Sequence, residues 1–215
     1  MNSGTHAEKQ GPGIVRRFLG FVVMVAIVLA ASWGLRTYVI EPFQVPSSSM
    51  EPTIQGHDAE PGIKEVKDMV FVEKLSYQFG TPKAGDIVTF HDPEIPSRVL
   101  IKRVIATGGQ TVNLVHDYTE SDGSAHYVVY VDGKKLSEPY VARGDNGKIS
   151  SSSPLETASG VDISYPYTVP ADCVWVMGDN RENSADSRYF GAVKTSSVFG
   201  RAFAIYWPLE DMGAL

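Results

Sequence analysis

Residues 18–35 contain no charged side chain, and Val, Ala, Leu, Ile, Met and Phe dominate them. With Thr37, Tyr38, Val39 and Ile40 continuing beyond Arg36, the run approaches the roughly 20 residues needed to cross about 30 Å of hydrocarbon. Trp33 and Tyr38 fall where interfacial aromatics belong. A cleaved signal peptide competes with this reading, because Val28-Leu29-Ala30 resembles a small-residue cleavage site. Its apolar core is longer than the usual about 7–15 residues and the run continues past the site, so the segment reads as a retained anchor. Lys9, Arg16 and Arg17 precede the span, which places the N-terminus in the cytoplasm and everything after Ile40 outside. The chain thus divides into a polar tail over residues 1–17, expected to be disordered, an anchoring helix over 18–40, and an extracytoplasmic portion over 41–215.

That last portion is long enough for one sizeable domain. A net charge of −6 gives no reason to expect nucleic acid as a partner. The 20 Gly and 13 Pro suit a turn-rich β architecture better than a helical bundle. Cys173 is the single cysteine, which excludes an intramolecular disulfide and a cysteine-based zinc site. It lies in an apolar run and reads as a small core residue.

Strand-like runs, rich in β-branched or aromatic residues and bounded by Gly, Pro, Asp or Asn, occur at residues 69–72, 86–90, 99–105, 111–115, 127–131, 173–177 and 199–207. Asp132-Gly133 is a hairpin signal. Residues 55–67 and 143–164 read as loops, and a short turn is expected at 195–198. The expected fold is mainly β.

Just beyond the span stands Phe43-Gln44-Val45-Pro46-Ser47-Ser48-Ser49-Met50-Glu51-Pro52-Thr53. A Ser/Pro stretch is ordinarily a linker, and the run Ser150 to Ser153 reads that way. The first run differs: Phe43 and Val45 alternate before it, and two prolines stiffen it. It reads as a strand delivering a serine to a fixed place. A serine needs an adjacent base to become nucleophilic. The five histidines occupy the tail (His6) or turn-like segments (His57, His91, His116, His126) without shared metal-ligand spacing, and no His-Glu-x-x-His occurs. Neither Gly-x-Ser-x-Gly nor Ser-x-x-Lys is present. Lys102 remains, flanked by Val99, Leu100, Ile101, Val104 and Ile105. Burial there would favour the neutral amine, and Ser–Lys dyads are an established variant of serine hydrolase chemistry. From the strand alone, an exposed Lys102 on a half-buried strand is the alternative.

Residues 178–191 follow an apolar run and gather Asp179, Arg181, Ser184, Asp186 and Arg188, charges able to form paired hydrogen bonds that fix a loop. Together with Pro46-Ser47-Ser48-Ser49-Met50-Glu51-Pro52-Thr53, Gly85-Asp86-Ile87-Val88-Thr89-Phe90, Ile101-Lys102-Arg103-Val104 and Gly200-Arg201-Ala202, in that order along the chain, they carry a resemblance. The chain resembles the type I signal peptidases, membrane-bound Ser–Lys endopeptidases that remove signal peptides from exported preproteins after small, Ala-x-Ala-like residues. The resemblance runs from Glu41 to Trp207. It implies a β-sheet or partial-barrel catalytic domain with a β-rich, loop-rich insertion at about 116–168. It also implies Ser49 as nucleophile, Lys102 as general base, and the Ser47 hydroxyl with the Ser49 amide as oxyanion hole. Ser184 would orient the lysine, Asp179, Arg181, Asp186 and Arg188 would support the loop, and Phe43, Val45 and Ile101 would line the substrate pockets. No metal or other cofactor is implied. The implied partners are secreted preproteins, the lipid bilayer and the protein-export machinery, with no nucleic acid.

Gly108-Gly109-Gln110 departs from the family's usual Pro-Gly-Asp after the lysine strand, and the insertion has no motif match. Two rivals are weighed. A catalytically inert preprotein-binding module predicts loss of one dyad member, and both are present. A self-cleaving-repressor type of Ser–Lys protease predicts a soluble chain with a DNA-binding segment, against the apolar span and acidic charge.

Overall fold

A computed structural model of the chain describes residues 13–56, 67–144 and 147–215. It contains two compact units, the chain dividing between Val39 and Ile40. The first is a single 25-residue helix, α1 (Ile14–Tyr38), with no buried residue. An α-helix rises about 1.5 Å per residue, so α1 is long enough, and apolar enough, to cross a bilayer. Arg16 and Arg17 lie in its first turn and Arg36 in its last, where Trp33 and Tyr38 meet edge to face at 6.3 Å. The helix therefore takes in residues 14–17, which were assigned to the tail, and stops before Ile40, which starts a strand. Residues 1–12, His6 included, lie outside the described residues.

The second unit is built from β1 (Ile40–Gln44), β2 (Met69–Glu73), a one-turn helix α2 (Ser76–Phe79), β3 (Ile87–His91), β4 (Val99–Thr107), β5 (Thr111–Thr119), β6 (Ala125–Val131), β7 (Lys134–Lys135), β8 (Tyr167–Thr168), β9 (Cys173–Met177), another one-turn helix α3 (Ser187–Phe190), β10 (Val193–Lys194), β11 (Val198–Trp207) and β12 (Gly213–Ala214). The larger sheet runs β1-β2-β11-β3-β4-β9-β10, with β12 added to β11, and the smaller runs β7-β6-β5-β8. Burial explains the order. Val70 and Val72 alternate inward along β2, as expected near a sheet margin, whereas β9 is buried at every position and sits inside the sheet. The smaller sheet takes its strands from both ends of the expected insertion and starts earlier than it, since β5 begins at Thr111.

Three apolar clusters hold the unit together. One gathers Val45, Met50 and Ile54 against Val70, Val72, Ile87, Ile101 and Ala202. A second joins the two sheets through Ile105, Val112, Leu114, Val129, Cys173 and Trp175. The third packs Val88, Phe90, Val104, Val176 and Phe190. Cys173 is a core residue, as its setting implied. At the β6–β7 hairpin, Asp132 and Gly133 have φ of 50° and 75°, the conformation a two-residue turn requires. The Gly108-Gly109-Gln110 turn is closed by Gln110, whose Oε1 accepts from Thr107 N at 2.9 Å.

The run Ser150 to Ser153 is not a linker. Ser150 and Ser152 are buried, Ser152 N donates to Tyr127 O at 2.9 Å, and Tyr127 N donates to Ser151 Oγ at 2.9 Å. Serine runs without apolar neighbours in sequence still order when backbone partners come from elsewhere in the fold.

Candidate active site

The serine segment leaves the sheet at the end of β1 and forms a single 3-10 turn over Ser48–Met50. Met50 and Ile54 enter the first apolar cluster and pull the turn inward. Asp68 closes the base of the loop: its carbonyl accepts from Val45 N at 3.2 Å, its amide donates to Gln55 O at 3.0 Å, and its Oδ2 accepts from Gln55 N at 2.7 Å. Both ends of the segment carrying Ser47 and Ser49 are thereby tied to one residue. Burial pushes the Asp68 carboxyl up, against the opposing effect of the Gln55 N–H.

Lys102 lies in β4 opposite Val88 of β3. Ile101 turns into the first cluster while Leu100 and Val104 pack in the third, so alternation sends Lys102 and Arg103 to opposite faces. Lys102 is 3% exposed and Ser49 6%. The Lys102 Nζ is hydrogen-bonded to Ser49 Oγ at 2.6 Å. Burial lowers the lysine pKa to about 8, outweighing the opposing pull of Asp186 and Asp179. The Ser47 and Ser49 hydroxyl oxygens are 3.2 Å apart. The alternative of a solvent-exposed Lys102 is thereby excluded.

The loop over residues 178–191 wraps this pair. Arg188 grips Asp186 through two bonds, Nε to Oδ1 and Nη2 to Oδ2, each 2.9 Å. Asp186 also caps α3 by accepting from Arg188 N, and it accepts from Gly178 N at 3.0 Å. Burial pushes the Asp186 carboxyl up, but the Arg188 guanidinium and these hydrogen bonds hold it below its ordinary value. Asp179 and Arg181 do not pair with each other. Asp179 takes two bonds from Arg103, 2.8 and 2.6 Å, and one from Thr53 Oγ1 at 2.5 Å. Arg181 pairs with Glu138 and also donates to Ser152 Oγ.

Ser184 is buried, and its hydroxyl makes no hydrogen bond to Lys102. It packs on Gly178, where a Cβ would meet Ser184 Oγ and the Ser49 carbonyl oxygen each at 2.4 Å. Phe43, Val45 and Ile101 come together in one cluster, but Val45 and Ile101 are 0% and 2% exposed, and only Phe43 presents surface.

Sequence reasoning missed the partners that fasten these groups. Asn180 N donates to Ser49 O at 3.1 Å and its side-chain amide to Ser48 O at 3.2 Å, while Asn183 donates to Ser48 Oγ at 2.7 Å. The polar density of the loop was the available signal; which asparagine faces the serine turn depends on the fold. Thr53 and Arg103 stood inside the quoted motifs without a role, and Glu138 and Asp68 gave no local signal. Among the described residues no three His, Cys, Asp or Glu side chains cluster as metal ligands. His126 is buried with Nε2 at 2.9 Å from Ile149 O, and His57 lies outside the described residues.

A buried lysine with a depressed pKa, hydrogen-bonded to a serine held in a rigid turn, is equipped for nucleophilic attack on a carbonyl. A family model described as signal peptidase, peptidase S26, matches residues 16–207. The chain is 36% identical over 197 residues to signal peptidase I of Leptolyngbya laminosa, covering 88% of this chain and 79% of that protein. With signal peptidase I of Mycobacterium tuberculosis the identity is 32% over 236 residues, covering 91% and 74% respectively. Among solved structures, a signal peptidase I from Enterococcus faecalis matches at 33% identity and a TM-score of 0.39, covering 56% of this chain and 95% of that one.

Proposed function

Since the chain belongs to the signal peptidase family, peptidase S26, we propose that it cleaves exported preproteins with Ser49 as nucleophile and neutral Lys102 as general base. It is a serine endopeptidase of the signal peptidase I type. The observation that carries the residue assignment is the 2.6 Å contact between Lys102 Nζ and Ser49 Oγ in a buried setting.

Neutral Lys102 accepts the Ser49 proton as Oγ attacks the scissile carbonyl. The oxyanion that forms is met by the Ser49 N–H and the Ser47 hydroxyl, donors that in such sites are worth about 3 kcal/mol each. The protonated lysine passes its proton to the departing amine, and the C–N bond breaks, leaving an ester on Ser49. Lys102 then deprotonates a water, the hydroxide adds to the ester, and collapse returns the proton to Ser49 Oγ and frees the signal peptide's new carboxylate.

The substrate binds as an added strand. β1 supports this, because it ends the larger sheet and pairs with β2 alone among the described strands. The residues flanking the scissile bond would meet Phe43, with Val45 and Ile101 behind it limiting depth and so favouring small side chains. Ser184, buried against Gly178 beside Ser49, would orient Lys102 by turning its hydroxyl towards the amine. α1 anchors the chain with its N-terminus in the cytoplasm and the peptidase unit outside, beside the bilayer and the export machinery that deliver the substrate.

The test is cleavage of a preprotein by the purified full chain in detergent. Ser49→Ala and Lys102→Ala should each lose activity by about 10³-fold or more. Wild-type rates in either variant would sink the assignment.

A further inference from the structure

We propose that Glu138, supplied by the insertion, is a positioning residue for the catalytic loop: its carboxylate fixes the Arg181 guanidinium, and through it the turn on which Ser49 rests. The proposal rests on the Ser49–Lys102 reading above.

Arg181 is 1% exposed, and a cation so enclosed needs a counter-charge. Glu138, itself buried, provides it through both carboxylate oxygens, Nη1 donating to Oε2 at 3.3 Å and Nη2 to Oε1. Ser152 Oγ, also from the insertion, accepts from Nη1. The remaining guanidinium nitrogen, Nε, donates to the Gly178 carbonyl at 2.9 Å. Gly178 is the residue whose Cα backs onto the Ser49 carbonyl, and Asn180, two residues on, donates its amide to that same oxygen. Any displacement of Arg181 thus reaches Ser49 through a single turn of chain.

Two further contacts from the insertion land on the same few residues. Ala142 N donates to Asp179 O at 3.1 Å. Tyr140, whose hydroxyl donates to Glu138 Oε1 at 3.2 Å, lies under the Arg103 guanidinium at 4.1 Å, and Arg103 is the residue that clasps Asp179. The insertion also meets the later part of the loop, through Ser151 N to Glu182 Oε1, Arg188 Nη1 to Ser153 O and Ala158 N to Tyr189 O, while the contacts through Glu138, Ala142 and Ser152 fall on Asp179 and Arg181 beside the Ser49 turn. Glu138, Tyr140, Ala142 and Ser152, all from the chain between β7 and β8, then act as a buttress that holds the nucleophile turn from behind.

The experiment measures kcat and KM for a preprotein with the full chain in detergent, for wild type, Glu138→Gln, Arg181→Gln and the double variant, scaled to the folded fraction given by near-ultraviolet circular dichroism. Glu138→Gln should lower kcat per folded molecule by about tenfold or more while KM stays within about twofold, because the nucleophile is misplaced and the β1 edge is untouched. The double variant should be no more than about twofold below Arg181→Gln, since both act through one contact. If Glu138→Gln does not fold, Ser152→Ala removes one Arg181 partner without altering charge and should lower kcat about two- to fivefold at unchanged KM. A kcat per folded molecule equal to wild type in Glu138→Gln, or in Ser152→Ala where that substitutes for it, would overturn the proposal, as would losses that multiply in the double variant. Activity surviving in Lys102→Ala would instead overturn the dyad on which the proposal rests.

Discussion

Lys102 is charged in the unfolded chain at neutral pH and is buried in the folded one, so it opposes folding. Its pKa falls from 10.5 to about 8 on burial. Below pH 8 the penalty is fully present, because the folded state must bury a proton that the unfolded state holds easily. As pH rises from about 8 to 10.5 the unfolded chain still binds the extra proton, so stability increases through that window. Lys102→Met should therefore be more stable than wild type at pH 7, by on the order of 3 kcal/mol at most, with the gain shrinking towards pH 10.5. Denaturant titrations of both proteins at several pH values check this, and a variant less stable than wild type at pH 7 would contradict it. Such instability is the signature of a group kept for chemistry. At this scale the sequence was informative about Ser49 and Lys102, since the apolar neighbours of Lys102 announce burial. It named Arg103 and Thr53 without their partner Asp179 and was silent about Asp68, because such partners lie far away in sequence and depend on strand register.

The loop over residues 178–191 is stiff because Asp179, Arg181, Asp186 and Arg188 are each paired with an opposite charge, and because Gly178 allows backbone contact with Ser49. In Gly178→Ala the added Cβ would fall 2.4 Å from the Ser49 carbonyl oxygen, backbone that cannot rotate away. Displacement of the nucleophile by even about 1 Å can cost about 10²-fold in rate, so kcat should fall by about that factor in a protein whose circular dichroism is unchanged. A loss below about threefold would show that the turn has slack. Long strands were legible at this scale: β2, β4, β6, β9 and β11 fall within a residue or two of the apolar runs that announced them. The two-residue strands β8, β10 and β12 were not, since their pairing comes from the partner strand rather than from any pattern of their own, and β7 was announced only by the Asp132-Gly133 turn signal before it. Burial of Ser152 was illegible for the same reason.

Two units with separate physical jobs make up the molecule. α1 exposes its apolar residues all round, which suits hydrocarbon and not water, whereas the unit from Ile40 onward has its own core. A chain beginning at Ile40 should fold, cleave a soluble signal-peptide substrate in detergent, and fail to float with lipid vesicles that retain the full chain; equal flotation of both would show that α1 is not the anchor. The helix was legible from composition, but its ends were not: neither Ile14 nor Tyr38 bears a capping signal, and no side-chain cap bond forms at its start. For the molecule as an enzyme, the central claim is that a neutral, buried Lys102 activates Ser49. The pH–rate profile of preprotein cleavage tests it most directly. kcat/KM for the full chain should rise with a slope of one across an acid limb centred near pH 8, the value at which Lys102 sheds its proton. A profile flat from pH 6 to 10, or an acid limb near the ordinary lysine value of 10.5, would contradict the account.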